Sequence, residues 1–203
     1  MAAGGVARGA LPAPMPRERY ARDAVTLARA LVGARIVCVG KKVQIARIVE
    51  TEAYCGPGDA ACHARAGLTK RTRSLLGPAG HAYVFLVYGM HECFNVVALR
   101  EGQGHAVLVR AVEPVAGVDA SRTDGPGRVT KALGISRADD ALDLCAGERI
   151  WIAARERRPR VGVSARVGVG YAGEVAEAPW RFFDEASPCV SRPPRKSIGL
   201  GRG

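Results

Sequence analysis

Two apolar runs, Tyr83-Val84-Phe85-Leu86-Val87-Tyr88 and Cys93-Phe94-Asn95-Val96-Val97-Ala98-Leu99, flank the short connector Gly89-Met90-His91-Glu92. Strand-forming runs joined by so few residues pair as a β-hairpin. A hairpin commits the chain to antiparallel sheet. Side chains alternate along a strand, so Tyr83 and Phe85 face one side while Tyr88 ends on the other, beside the turn. A ring at a hairpin tip either covers a loop, the commoner use of aromatic residues, or touches a partner.

The rest of the chain adds strands to this hairpin. Residues 34–39 and 43–53 read as a second hairpin turning at Gly40-Lys41-Lys42. Its long arm contains Ile48-Val49-Glu50-Thr51-Glu52-Ala53-Tyr54, where alternation puts Glu50, Glu52 and Tyr54 on one face, neighbours about 6.5–7 Å apart. Residues 105–112 form another strand with Leu108 and Arg110 on one side, and residues 149–154 and 161–169 form two more, split by a basic loop. From Asp23 to Gly33 the apolar residues Ala24, Leu27, Ala28, Leu31 and Val32 make a helical stripe, with Asp23 as N-cap and Gly33 as stop. Pro126 and Gly134 bracket a second short helix. Its N-terminal N–H groups, with Arg128 and Lys131, suit an anion. No repeat or domain boundary interrupts this pattern.

At 203 residues the chain is long enough to bury one substantial core. Lys and Arg number 30 against 19 Asp and Glu, a net charge of +11, with a sequence pI near 9.9. That balance suits a polyanion partner. Arg65, Lys70, Arg71 and Arg73 crowd one loop, either as phosphate ligands or as a solvated surface. Six cysteines show no Cys-x-x-Cys pair, and Cys55, Cys62 and His63 lack a second pair at zinc-site spacing, so no metal or other cofactor is expected. With no signal peptide and no long apolar span, the expectation is a cytoplasmic protein, nucleoid-associated in a bacterium, with no membrane partner. Residues 1–17 read as a disordered basic arm, 18–191 as the domain and 192–203 as a disordered basic tail.

The segments Arg47 to Tyr54, Gly56-Pro57, Asp59 to His63, Tyr88-Gly89-Met90, Asn95, Leu108 to Arg110 and Arg166-Val167-Gly168-Val169-Gly170 together resemble the alkylpurine (3-methyladenine) DNA glycosylase family. The resemblance runs from about residue 21 to 191, in order. It implies a single-domain α+β fold, a mostly antiparallel curved sheet with flanking helices and a protruding hairpin. It also implies that Glu52 deprotonates the attacking water and that Arg110 helps hold that water. Tyr54, His63 and Phe85 would line the pocket for an everted base, with Asn95 crowding a purine that carries an extra amino group and Leu108 packed nearby. Tyr88 would enter the minor groove of DNA; beside this, Met90 next to the turn and the basic Arg65, Arg71, Arg73, Arg128 and Lys131 are expected, from their place and charge, to be further DNA contacts. The partner is double-stranded DNA containing a damaged purine, and the protein a monomer. Two residues depart from the family pattern: Phe85 replaces a frequent tyrosine, and Glu92 stands where an apolar residue is usual.

The chemistry agrees with that assignment. Breaking a base–sugar bond leaves a cation-like sugar carbon, which needs a nearby negative charge and a water to capture it. A glutamate, with a reference pKa near 4.3, is already ionised at neutral pH. No lysine occupies a Schiff-base position, so the base would leave behind an uncut abasic site. Two alternatives stay open: Glu50 and Glu52 acting as the paired carboxylates of an inverting sugar hydrolase, and a non-catalytic nucleic-acid-binding module in which Glu52 is incidental.

Overall fold

A computed structural model describes residues 11–87, 89–120 and 122–191. Eight strands, β1 (Arg35–Val39), β2 (Val43–Cys55), β3 (Ala82–Val87), β4 (His91–Ala98), β5 (His105–Ala116), β6 (Ile150–Ala153), β7 (Val161–Ser164) and β8 (Arg181–Asp184), form a single sheet. Its main order is β3-β4-β5-β2-β1-β6, with β8 joined to β2 and β7 to β8. Every strand pairing among the described residues is antiparallel.

The long strand β2 holds this arrangement together. One edge pairs with β5 from Ile45 to Cys55. The other edge is divided: β1 takes Val43 to Arg47, and β8 takes Glu50 to Glu52. Register shifts on either side of Glu50 interrupt the β2–β5 ladder, and such bulges bend a strand and increase its twist. A forked, bulged central strand makes the sheet curl around its contents.

The helices form as their sequences dictate. In α1 (Ala24–Leu31) the Asp23 carboxylate accepts the Thr26 N–H, and Ala24, Leu27, Ala28 and Leu31 are buried. The Thr51 hydroxyl donates to Ala28 O at 2.9 Å, tying this helix to β2. In α2 (Pro126–Leu133) proline occupies the first turn, and Gly134 closes the helix at φ 60°, a left-handed conformation that glycine adopts without strain. Thr130 of α2 donates to Glu92 O at 2.9 Å, which braces the β3–β4 hairpin. A large core that includes Leu27, Ile36, Ile48, Phe94, Val109 and Ile152 is accompanied by a smaller cluster of Cys62, Ala64, Leu75, Tyr83, Val97 and Ala106. No helix among the described residues is long and apolar enough to cross a membrane.

Several expectations need correction. Residues 11–17 are part of the fold: Pro14 bridges Ala153, Met15 N donates to Ile152 O at 2.8 Å, and Trp151 Nε1 donates to Pro12 O at 2.7 Å. They cover the edge strand β6, whose open hydrogen-bonding groups need a partner. Residues 1–10 and the tail 192–203 lie outside the described residues. The hairpin connector is shorter than expected, because His91 and Glu92 belong to β4, with Val87 opposite His91. The strand expected over 161–169 ends at Ser164. Beyond it Gly168 takes φ 75° and the Val167 N–H turns to a side chain. Strand β8 was not expected at all; its terminal Arg181 and Asp184 disguise a segment that is buried throughout.

Candidate active site

Between β2, the β3–β4 hairpin, β5 and the loop after β7 lies a cavity of about 310 Å³, at the small end of the usual range for ligand sites. Tyr54, His63, Phe85, Asn95, Leu108 and Arg110 all line it, so six residues expected at the site from sequence do meet there. Tyr83, Cys62, Cys93, Val167 and Tyr171 join them. One wall is a packed group of rings: His63 meets Phe85 edge-on at 4.5 Å between centroids, and Tyr83 lies 5.1 Å from Phe85. Such edge-on and offset contacts suit the ring quadrupoles and fix the wall's shape.

Glu52 sits one layer behind the cavity. Its side chain has no exposed surface, yet all three groups that bind it belong to cavity-lining residues. Val167 N donates to Oε1 at 2.7 Å, while Tyr54 OH at 3.0 Å and Arg110 Nη1 at 3.3 Å donate to Oε2. Burial and the adjacent Glu52 charge raise the Tyr54 phenol well above its ordinary pKa, so this hydroxyl stays protonated and donates.

Glu50, the other acid of the segment, is used differently. It is also fully buried, but it accepts from Arg110 Nε (3.0 Å), Arg181 Nε (2.7 Å) and both the N–H (2.6 Å) and hydroxyl (2.9 Å) of Ser191. Three of these bonds fall on Oε1 and one on Oε2, and of the donors only Arg110 lines the cavity. Arg110 forms salt bridges with both Glu50 and Glu52, while Glu113 pairs with Arg47. Glu50 anchors Arg110, and Arg110 reaches Glu52 with its other end.

A second buried ion pair supports the same floor. Arg166 and Asp59 form a bidentate pair at 2.6 and 2.9 Å, and neither side chain is exposed. Arg166 also donates to Ala53 O at 3.0 Å, between Glu52 and Tyr54, and its guanidinium carbon lies 4.8 Å from the Tyr54 ring centroid and 4.9 Å from that of Trp180. Asp59 accepts the Cys55 and Ala61 N–H groups, which folds the loop leading to His63. Burial pushes the Asp59 carboxyl upward, but Arg166 and these two N–H groups outweigh it and hold the pKa below the ordinary value.

His63 is held at both ring nitrogens, by Tyr83 OH at 2.8 Å on Nδ1 and by Arg71 Nη2 at 3.1 Å on Nε2. A guanidinium only donates, so Nε2 is the unprotonated acceptor and Nδ1 carries the proton. Burial and the Arg71 charge lower the His63 pKa to about 4, which makes the ring neutral near pH 7. Arg71 also stands 5.2 Å from the Phe85 ring centroid. Asn95 donates through Nδ2 to Tyr83 O at 3.0 Å and Cys93 O at 3.4 Å, so its amide cannot swing freely.

The expected DNA contacts are more scattered. Arg65 and Arg71 line a groove beside the cavity with Tyr171, and Arg73 is exposed on the same loop. Met90 is 74% exposed beside the hairpin turn; Tyr88 lies outside the described residues. Pro126 brings α2 to the cavity, whereas Arg128 and Lys131 line a different groove with Lys42 and Arg122, and Arg128 is paired with Asp124. Glu92 is engaged too: it accepts the Arg137 N–H at 2.9 Å, with the Arg137 guanidinium nearby. Its charge thus ties the turn end of the hairpin to the segment after α2. Of Cys55, Cys62 and His63, Cys62 Sγ donates to Gly104 O and His63 has the partners above. Sequence reasoning missed Tyr83 as a site residue and missed Asp59, Arg181 and Ser191 as supports. For Tyr83 the signal was present, because it shares a strand face with Phe85.

The comparisons with known proteins agree with this geometry. The family model described as methylpurine-DNA glycosylase (MPG) matches residues 18–188. A Myxococcus xanthus (strain DK1622) protein named "Putative 3-methyladenine DNA glycosylase" is 49% identical over 189 residues, covering 89% of this chain and 94% of its own. Proteins of the same name from Methanocella arvoryzae and from Legionella pneumophila (strain Lens) are 41% and 43% identical, each over 88% of this chain and 96% and 98% of their own. The family match defines the class as N-glycosyl hydrolases that act on DNA, with which an acid behind a ring-lined cavity in a basic chain is compatible. Within that class, the chain belongs to the methylpurine-DNA glycosylase family.

Proposed function

We propose that this protein takes alkylated and deaminated purines out of duplex DNA and hydrolyses the base–sugar bond with a water activated by Glu52. The observation that carries the reading is the Glu52 carboxylate, held by three donors that all belong to the cavity wall. Water entering from the cavity competes with the Tyr54 hydroxyl for Oε2. As the bond from the sugar carbon to the base breaks, the water oxygen bonds to that carbon and its proton passes to Glu52. General base catalysis is typically worth about 10²–10⁴-fold, so electrostatic stabilisation of the cationic sugar by the same carboxylate supplies much of the remainder.

The other residues take the roles implied by family membership. Tyr54, His63 and Phe85 hold the base; Asn95 and Leu108 narrow the cavity; Tyr88 and Met90 at the hairpin turn fill the gap left in the duplex. Extruding a base costs a few kcal/mol, least where pairing is already weak. Arg65, Arg71 and Arg73 contact phosphates beside the cavity, with Arg128 and Lys131 further along the DNA. The protein works as a monomer, without a cofactor, and leaves the abasic strand uncut. Glu50 is held by four donor groups, of which only Arg110 lines the cavity, and this favours a single catalytic acid over a carboxylate pair.

The test is a duplex carrying one hypoxanthine or one methylated purine, treated with wild-type protein and with Glu52→Gln. Wild type releases the base, and the variant binds the same duplex but releases it at least about 10²-fold more slowly. Equal release by the two proteins would remove Glu52 from the chemistry. Salt-sensitive binding with no release by wild type would favour the non-catalytic module.

A further inference from the structure

The loop whose Val167 N–H binds Glu52 continues into Tyr171. Val169 and Ala172 are buried in one cluster with Ala61, on which Tyr54 also packs, so the backbone is pinned on both sides of Tyr171 and its side chain points outward. The ring is 75% exposed, and no hydrogen bond or ring contact holds it among the described residues. Exposure alone means little; position gives it meaning. Tyr171 lines both the base cavity and the neighbouring groove of Arg65 and Arg71, and Ala61, Cys62 and His63 are also common to the two. It therefore stands on the rim between them. No acidic residue lines that groove, and among the described residues neither Arg65 nor Arg71 pairs with a carboxylate. In the groove beside α2, by contrast, Lys42 pairs with Asp119 and Arg128 with Asp124. Glu174, the acid nearest Tyr171 in sequence, lies beyond the kink at Gly173 (φ 64°) and lines neither hollow.

We propose that Tyr171 grips the backbone of the everted nucleotide: its hydroxyl donates to one of the two phosphates flanking the damaged base, and its ring packs on the deoxyribose at the cavity mouth. The inference rests on the excision activity proposed above. A base held in the cavity leaves its sugar at the mouth and its phosphates just outside, where two guanidiniums without acid partners attract an anion. Arginine side chains are long and lose much rotamer freedom on fixing a ligand. A tyrosine has only two side-chain torsions and, on a pinned backbone, supplies a rigid contact at low entropic cost. Tyr171 lies four residues beyond Val167, so one short loop carries both the group that locates the sugar and the N–H that locates Glu52 Oε1. A grip at Tyr171 thus sets the sugar carbon in register with the acid.

The test neutralises one phosphate at a time. Duplexes carry a single hypoxanthine or 7-methylguanine, whichever wild type releases faster, with a methylphosphonate on its 5′ side, on its 3′ side or a full helical turn away. Wild type, Tyr171→Phe and Tyr171→Ala are compared in subsaturating single-turnover release. On the unmodified duplex Tyr171→Phe should be about tenfold slower than wild type, the worth of one hydrogen bond to a charged group, with an unchanged Tm because the side chain is exposed; Tyr171→Ala should be slower still. At one flanking position the methylphosphonate should slow wild type at least about fivefold more than it slows Tyr171→Phe, while the distant one slows both equally. The proposal is overturned if the two losses simply multiply at both flanking positions. It is overturned equally if Tyr171→Phe matches wild type and only Tyr171→Ala is slow, the pattern of a ring that stacks on a base. Binding of the same duplexes, measured with Tyr171 intact or replaced by Phe in the Glu52→Gln protein, separates this inference from the activity it rests on. If wild type releases neither base, the excision reading fails, and the coupling in binding still decides whether Tyr171 holds a phosphate.

Discussion

Replacing Glu50 by glutamine separates the two acids that the sequence places side by side. Glu50 is fully buried, lies between Arg110 and Arg181 and accepts four hydrogen bonds. Neutralising it takes the carboxylate from between two guanidiniums, and breaking a buried pair by removing one partner costs about 3–5 kcal/mol. Glutamine keeps the shape and one acceptor, so the lower figure applies, about 3 kcal/mol, or a Tm drop of about 6–12 °C for a chain of this size. Glu52→Gln is milder, because Arg110 keeps Glu50 and the amide oxygen still accepts a hydrogen bond; about 1 kcal/mol, or 2–4 °C, is expected. Activity should run the other way. Below both transitions, Glu52→Gln loses about 10²–10⁴-fold in single-turnover base release, while Glu50→Gln, with a less firmly held Arg110, loses about tenfold. Thermal melts followed by circular dichroism, with single-turnover assays on the same samples, measure both quantities. The reasoning fails if Glu50→Gln melts with wild type. It fails equally if the two variants lose the same activity, the pattern of a paired-carboxylate hydrolase.

Asp59→Asn should lower Tm by a similar 6–12 °C near pH 7, since it breaks the buried pair with Arg166 at a cost of about 3 kcal/mol. Because the folded pKa of Asp59 lies below its ordinary 3.8, the pair's contribution is complete above that value and disappears as pH falls through the folded pKa. The gap between wild type and variant should therefore close in that acid range; a gap that widens there contradicts the ion pair. The His63 imidazole should titrate near pH 4 by NMR, as burial and Arg71 direct, and Arg71→Met should raise that midpoint. With the folded pKa below the reference value of 6.5, this histidine contributes stability that is whole above 6.5 and declines as pH falls toward 4. A midpoint above 6 would refute the contact with Arg71.

Period-two patterning by itself determined the hairpins, because alternation and short turns are local. Capping residues likewise marked both helices, at Asp23 and at Pro126 and Gly134. The ordered motifs brought Glu52, Tyr54, His63, Phe85, Asn95, Leu108 and Arg110 to one site, and all but Glu52 line the cavity. Only tertiary structure gave the two acids different surroundings. Glu50 and Glu52 are alike in sequence, and their difference comes from Arg181 and Ser191, about 130 to 140 residues away. The same holds for β8, for residues 12–15 against the β6 edge, and for the guanidiniums behind the rings. Each depends on contacts between distant segments, whose charges look like solvated surface until folding removes the water around them.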